Sequence, residues 1–123
     1  MKTFITPLAA ALVNASALLA APAFANDVIV DQFGFGNAAG GGQNGFDNRL
    51  DFKQRGNGNL ITGTQDGNNN WMAGHQHGNG HVSQNDQTGD NSITAVIQAG
   101  ENCSANTDTA TGGPVNAVVQ ICR

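Results

Sequence analysis

The sequence predicts an all-β protein, a short β-solenoid of stacked 22-residue strand-turn-strand repeats of the cross-β kind. Three observations predict it. Glutamine recurs every 11 residues without a slip, at Gln32, Gln43, Gln54, Gln65, Gln76, Gln87 and Gln98. Glycine follows each glutamine by two residues, at Gly34, Gly45, Gly56, Gly67, Gly78, Gly89 and Gly100. The residues leading up to Gln54 alternate apolar and charged, which is the period of a half-buried strand. Disordered chains hold no such register, so the repeat is structural.

Taken in order along the chain, residues 1–25 come first and stand outside the repeat. Lys2 supplies a short positive region, residues 8–21 are apolar but too short to span a bilayer, and Ala23-Phe24-Ala25 is an A-x-A cleavage site. The expectation is a secretory signal peptide and a mature chain beginning at Asn26. Residues 26–102 then form the repeats, and 103–123 a degenerate C-terminal repeat or cap.

The mature part holds four basic residues against nine acidic ones, a formal charge of −5. That balance lacks the basic patch of a nucleic-acid binder, and no further apolar run could insert stably in a membrane. It is rich in Gly, Asn and Gln and poor in large apolar residues, so it cannot fill a bulky globular core.

Within each unit, alternate residues share one face of a strand. Before Gln54 the inward set is Asn48, Leu50 and Phe52, with Arg49, Asp51 and Lys53 outside. Before Gln32 it is Asn26, Val28 and Val30, and before Gln76 it is Asn70, Met72 and Gly74. The intervening strands are leaner: Ala39 and Gly41 before Gln43, Ile61 and Gly63 before Gln65, Ser83 and Asn85 before Gln87. Bulky strands thus face small ones, and two sheets can close tightly. The layers count as 26–47, 48–69, 70–91, a degenerate fourth from Ser92 and a terminal fragment.

Turns carry the pattern Q-x-G-x-x-N, with Asn37, Asn48, Asn59 and Asn70 in the last place and His81, Ser92 and Cys103 there in later copies. After Gln32, Gln54 and Gln76 the turn is Gly-x-Gly; in the alternate copies only the first glycine remains. Gly34-x-Gly36-x-x-Ala39 outlines a dinucleotide-binding turn, but Gly40-Gly41-Gly42 follows, which cannot form the helix such a site requires. No cofactor is expected. Stacking at about 4.8 Å per layer sets Gln over Gln and Asn over Asn, each amide donating to one neighbour and accepting from the other. The ends of such a stack are open strand edges. The first strand carries neither the proline nor the lysine that usually blocks an edge, so pairing with a second copy is expected.

This unit resembles the curlin repeat, whose pattern runs roughly S/N-x5-Q-x-G-x-G-N-x5-Q. Asn26 to Gln43 and Asn48 to Gln65 fit it throughout, the third copy departs at His81, and the fourth begins at Ser92 and fades after Gly100. The resemblance implies an amyloid-forming solenoid subunit of curli-like surface fibres. It implies export through an outer-membrane machinery, nucleated polymerisation with itself and other curlin-like subunits outside the cell, and roles in adhesion and biofilm matrix. Family members usually carry a segment between signal peptide and first repeat, whereas here the repeat begins at the expected cleavage site. The alternatives are a minor nucleating or capping subunit and a soluble β-solenoid binding protein. An ice-binding row would need repeated outward Thr, and only Thr62 and Thr64 offer it.

Two cysteines in an exported chain predict a disulfide. The register places Gln120 on Gln98 and Cys122 on Gly100, beside the turn that holds Cys103, so an intramolecular Cys103–Cys122 bond could pin a final half-layer from Val115 to Ile121. Cross-linking between subunits is the alternative. His75, His77 and His81 form H-x-H-x3-H, but their positions divide between the two faces, and no metal site is expected. Trp71 is placed outward. No nucleophile, base or carboxylate pair has a cleft to work in, so an enzyme is not expected.

Overall fold

Successive seven-residue alternations separated by glycine turns give a ladder of short strands. A computed structural model describes residues 26–110, 113 and 115–123; the expected signal peptide, residues 1–25, lies outside them, as do Gly112 and Pro114 of the tail. Nine strands follow in order: β1 (Asp27–Phe33), β2 (Ala38–Asn44), β3 (Arg49–Arg55), β4 (Leu60–Asp66), β5 (Trp71–Asn79), β6 (Val82–Thr88), β7 (Ile93–Glu101), β8 (Ser104–Ala110) and β9 (Val115–Cys122). Odd strands form a five-stranded sheet and even strands a four-stranded one, each in simple sequential order. All pairings are parallel and offset by one repeat, so Gln32 lies beside Gln54, Gln54 beside Gln76, and Gln76 beside Gln98. The chain therefore alternates between two facing sheets and rises one layer per 22 residues, an all-β solenoid of about 4 turns.

The interior is sealed by size matching across the sheets. Leu50, Phe52, Ile61 and Met72 are fully buried and form the apolar core, with Ala39 packed against it. Opposite them stand residues with no side chain. A Cβ on Gly63 would lie 2.8 Å from Phe52 Cζ and would overlap Met72 Sδ. One on Gly74 would overlap Ile61 Cδ1. The glycines let the sheets approach until the large side chains fill the gap, which is the density an interior needs. Beyond Met72 the interior turns polar. Asn85 donates to Thr62 O at 3.1 Å and to Ser83 Oγ at 3.0 Å, and accepts from Thr107 Oγ1 at 2.7 Å. Each inward polar group there finds a neighbour, apart from Ser92 Oγ, which has no partner among the described residues.

Each of the seven corners from β1 to β8 uses two left-handed positions. The first is the glycine two after glutamine, with φ of 122° at Gly34, 121° at Gly56 and 107° at Gly100. A Cβ on Gly56 would overlap the Gly78 carbonyl oxygen in the next layer, so glycine is required there by stacking as well as by φ. The second lies two residues further on. Gly36, Gly58 and Gly80 hold it in alternate corners, with φ of 65–69°. In the other corners Asp47, Asn69, Asn91 and Asn102 hold it at 53–59°. Asn and Asp are the side chains that tolerate this conformation best, which explains the 22-residue alternation of Gly-x-Gly with Gly-x-Asn.

The fourth layer does not fade after Gly100. β8 pairs with β6 in the register of the lower layers, Thr109 taking the place of glutamine beside Gln87. Asn102 still provides the second left-handed corner, at φ 53°, so the turn sets the register although the motif letters are gone.

Candidate functional site

Because the sheets stack in register, each inward glutamine lies over the next. In the five-stranded sheet Gln32 Nε2 donates to Gln54 Oε1 at 2.6 Å, Gln54 to Gln76 at 2.8 Å, Gln76 to Gln98 at 2.8 Å and Gln98 to Gln120 at 3.0 Å. In the other sheet Gln43 donates to Gln65 at 2.9 Å and Gln65 to Gln87 at 2.7 Å. There the run ends, because Thr109 is too short to continue it. A hydroxyl relay replaces it: Gln87 donates to Thr94 Oγ1 at 2.9 Å, Thr94 and Thr109 share a bond of 3.2 Å, and Asn116 donates to Thr109 at 3.3 Å.

The second amide hydrogen of each ladder glutamine from Gln43 onward does something that sequence reasoning missed. It crosses to the opposite sheet and is accepted by a backbone carbonyl 16 residues earlier. Gln54 reaches Ala38 O at 2.9 Å, Gln65 reaches Arg49 O at 3.1 Å, Gln76 reaches Leu60 O at 2.9 Å and Gln98 reaches Val82 O at 3.1 Å. Gln43, Gln87 and Gln120 make the same bond to Asp27, Trp71 and Ser104. Each glutamine thus ties layer to layer and sheet to sheet. Carbonyl oxygens have no residue identity, so no letter in the sequence marks this contact. The crossing bond also fixes which end of the amide faces which way.

The asparagine column corrects the expectation of amide stacking. Asn37, Asn48, Asn59 and Asn70 do not bond one another through their side-chain amides. Asn48 Oδ1 accepts from the backbone N–H of Asn70 at 3.1 Å, while its Nδ2 donates to Asn44 O at 3.2 Å and to Gly67 O at 2.8 Å. Asn37 and Asn59 repeat the scheme one corner away, Asn59 N–H donating to Asn37 Oδ1 at 3.1 Å and Asn59 Nδ2 to Gly78 O at 2.9 Å. The side chain is one methylene shorter than that of glutamine and sits at the corner, so main-chain groups come within its reach before the next amide does. It staples the turn of one layer to the next. A further row lies on the turns themselves, where Asn57 Oδ1 accepts from Phe35 N–H and Asn79 Oδ1 from Asn57 N–H, both at 3.0 Å. The recurrence of Asn57, Asn68, Asn79 and Asp90 was its visible signal.

His81 stands in the asparagine column, fully buried. Its Nδ1 accepts from Cys103 N–H at 3.1 Å and its Nε2 faces His77 O at 3.2 Å. A carbonyl accepts only, so Nε2 carries the proton, and the ring reproduces the acceptor and donor of an asparagine. His75 and His77 are exposed on β5, and among the described residues no three metal-ligating side chains cluster. Cys103 and Cys122 are joined by a disulfide, Cα–Cα 5.6 Å, that ties the end of β9 to the corner between β7 and β8. Trp71 is half-exposed on the outer face of β5.

The ends of the stack complete the site. Val28 and Val30 are 53% and 46% exposed in β1, whereas Leu50 and Phe52, at the same positions one layer on, are at 0%. Among the described residues no strand pairs with the outer edges of β1 and β2, or with those of β8 and β9.

Residues 25–52 match the curlin associated repeat. The matched stretch covers β1, β2 and the first four residues of β3, through Phe52. Comparison with curated proteins and with solved structures yields no significant match. At His81 the third layer keeps the hydrogen bonds of this curlin repeat although the letter changes, whereas at Ser92 and Thr109 the side-chain bonds differ. A curlin repeat on a β-solenoid fits a structural subunit of the curli type.

Proposed function

We propose that the chain is a structural subunit of curli-like extracellular amyloid fibres, serving cell adhesion and biofilm matrix, and that it polymerises by templated strand addition. The half-exposed Val28 and Val30 carry this reading: they are core residues lacking only a layer beneath them. A second copy docked below β1 would bury them as Leu50 and Phe52 are buried, and would extend the five-stranded sheet. The glutamine ladders favour head-to-tail order. Gln120 Nε2 has a hydrogen left to donate, and among the described residues no glutamine donates to Gln32 Oε1. The mature chain is then secreted, its partners are itself, other curlin-like subunits and the outer-membrane export machinery, and it has no catalytic role.

A second reading, a minor nucleating or capping subunit, is favoured by the disulfide, which pins β9 over the edge of β7. An assembly experiment separates the two. Residues 26–123 are released from denaturant with the disulfide intact, followed by thioflavin T fluorescence, and aligned for fibre diffraction. A lag, seeded growth and reflections near about 4.8 Å and about 10 Å are the expected result. A stable monomer rich in β-structure would refute self-assembly as the main role and leave the capping reading, or a soluble binding solenoid, in its place.

A further inference from the structure

The outer face of the five-stranded sheet changes character along the stack. On β3 it carries Arg49, Asp51, Lys53 and Arg55. On β7 from Ile93 to Ala99, and on β9 from Val115 to Ile121, it carries no ionisable group at all. These side chains are open to solvent: Ile97 is 46% exposed, Val119 66% and Ile121 81%. The parallel register sorts them into columns. Trp71, Ile93 and Val115 make one ridge, and His75, Ile97 and Val119 make another. Between them Ala73, Ala95 and Ala117 form a groove three layers long. Ridge and groove are one strand period of two residues apart, roughly 6.6 Å.

We infer that this face packs against the same face of a second copy, side by side with the stack. A two-fold axis parallel to the stack, level with Val96, sets Ile97 over the second copy's Ala95 and Ile93 over its Ala99. In the next layer Val119 falls over Ala117, while Val115 meets Ile121 at the rim of the contact. On β7 large residues enter alanine places in both directions, and at the centre of β5 and β9 they do so as well; layers stay level, and both stacks point the same way. Such relief is self-complementary, as in dry zippers between β-sheets, whereas a lipid surface or a small apolar ligand would not require it. Three strands about 4.8 Å apart and eight residues of about 3.3 Å give a face of roughly 380 Å² per copy. Stable pairs bury about 800 Å² per partner. A lone pair is therefore weak, and the contact gains strength by repetition along two fibres. In that respect the inference rests on the fibre reading.

The test compares fibres of the wild-type chain, of Ile97→Lys and of Gln84→Lys by electron microscopy. Gln84 is exposed on the opposite sheet and serves as the control. The expected result is paired filaments for wild type and Gln84→Lys, and single filaments for Ile97→Lys with unchanged elongation rate. Single wild-type filaments, or pairs that survive Ile97→Lys, overturn the contact. So does pairing lost equally in both variants. Single wild-type filaments that bind phosphatidylcholine vesicles through this face would assign it to lipid instead. Should no fibres form, sedimentation equilibrium at millimolar concentration decides. Weak wild-type association abolished by Ile97→Lys upholds the contact although the fibre reading has failed, and a monomer overturns both.

Discussion

Gln54 shows how much one side chain carries here. Its amide donates to Gln76 and to Ala38 O, and accepts from Gln32. Replacing it by alanine leaves a void, strands the buried Gln76 oxygen and deprives Ala38 O and the Gln32 amide of their partner. We expect Gln54→Ala to lower stability by about 3 kcal/mol, the sum of a small cavity and unmet hydrogen bonds. The lag before assembly should lengthen as well, since an incoming chain loses part of its template. Unchanged denaturation and unchanged kinetics together would remove the ladder from the mechanism. The glutamines were legible in the sequence because their spacing is invariant. The asparagines were legible as positions, yet their chemistry was not, because a side chain that bonds only main-chain atoms leaves no partner letter to find. His81 looked like a departure for the same reason: the letter changes while the donor and acceptor stay in place.

At the scale of the element, corners matter more than strands. The turn after Gln54 needs a positive φ at Gly56 and free space for the Gly78 carbonyl, and alanine satisfies neither. Gly56→Ala should therefore cost at least about 2 kcal/mol, whereas alanine at the outward Gly40, which has open space around it, should be nearly neutral. Thermal unfolding of the two variants checks the contrast, and equal melting temperatures would contradict it. The last strand offers a second test. β9 has one strand neighbour, β7, and the disulfide closes a loop with a sequence separation of 19. Reduction should remove at most about 3 kcal/mol by the chain-entropy account. Amide exchange should quicken in β9 first, while the lower layers keep their protection. Uniform loss of protection would mean that the bond holds the whole stack rather than its final strand. β8 was the element least legible beforehand, since both its glutamine and its turn glycine had gone. Its register survives because Asn102 keeps the corner and the strand below supplies the template.

For the molecule as a whole, stability is spread along one dimension, each layer leaning on its neighbours. The alternation of inward and outward residues and the 22-residue period were enough to foresee two facing sheets. They did not reveal that the apolar filling is concentrated at Leu50, Phe52, Ile61 and Met72, nor that the upper layers are held largely by hydroxyls and amides. That division depends on which small residue faces which large one, a relation between sheets that no single strand displays. The outer apolar face lies on the same upper layers, so the part of the stack with little apolar filling inside carries an apolar face outside. The crossing bond from the ladder glutamines, Gln43 onward, to the opposite sheet has one more consequence. It holds each of these amides in a single orientation, with N–H toward the C-terminal end and oxygen toward the N-terminal end. The amide dipoles therefore add head to tail, as peptide units do along a helix. The stack is electrically polar, negative at the Gln32 end and positive at the Gln120 end, and a fibre built from it has two chemically different tips.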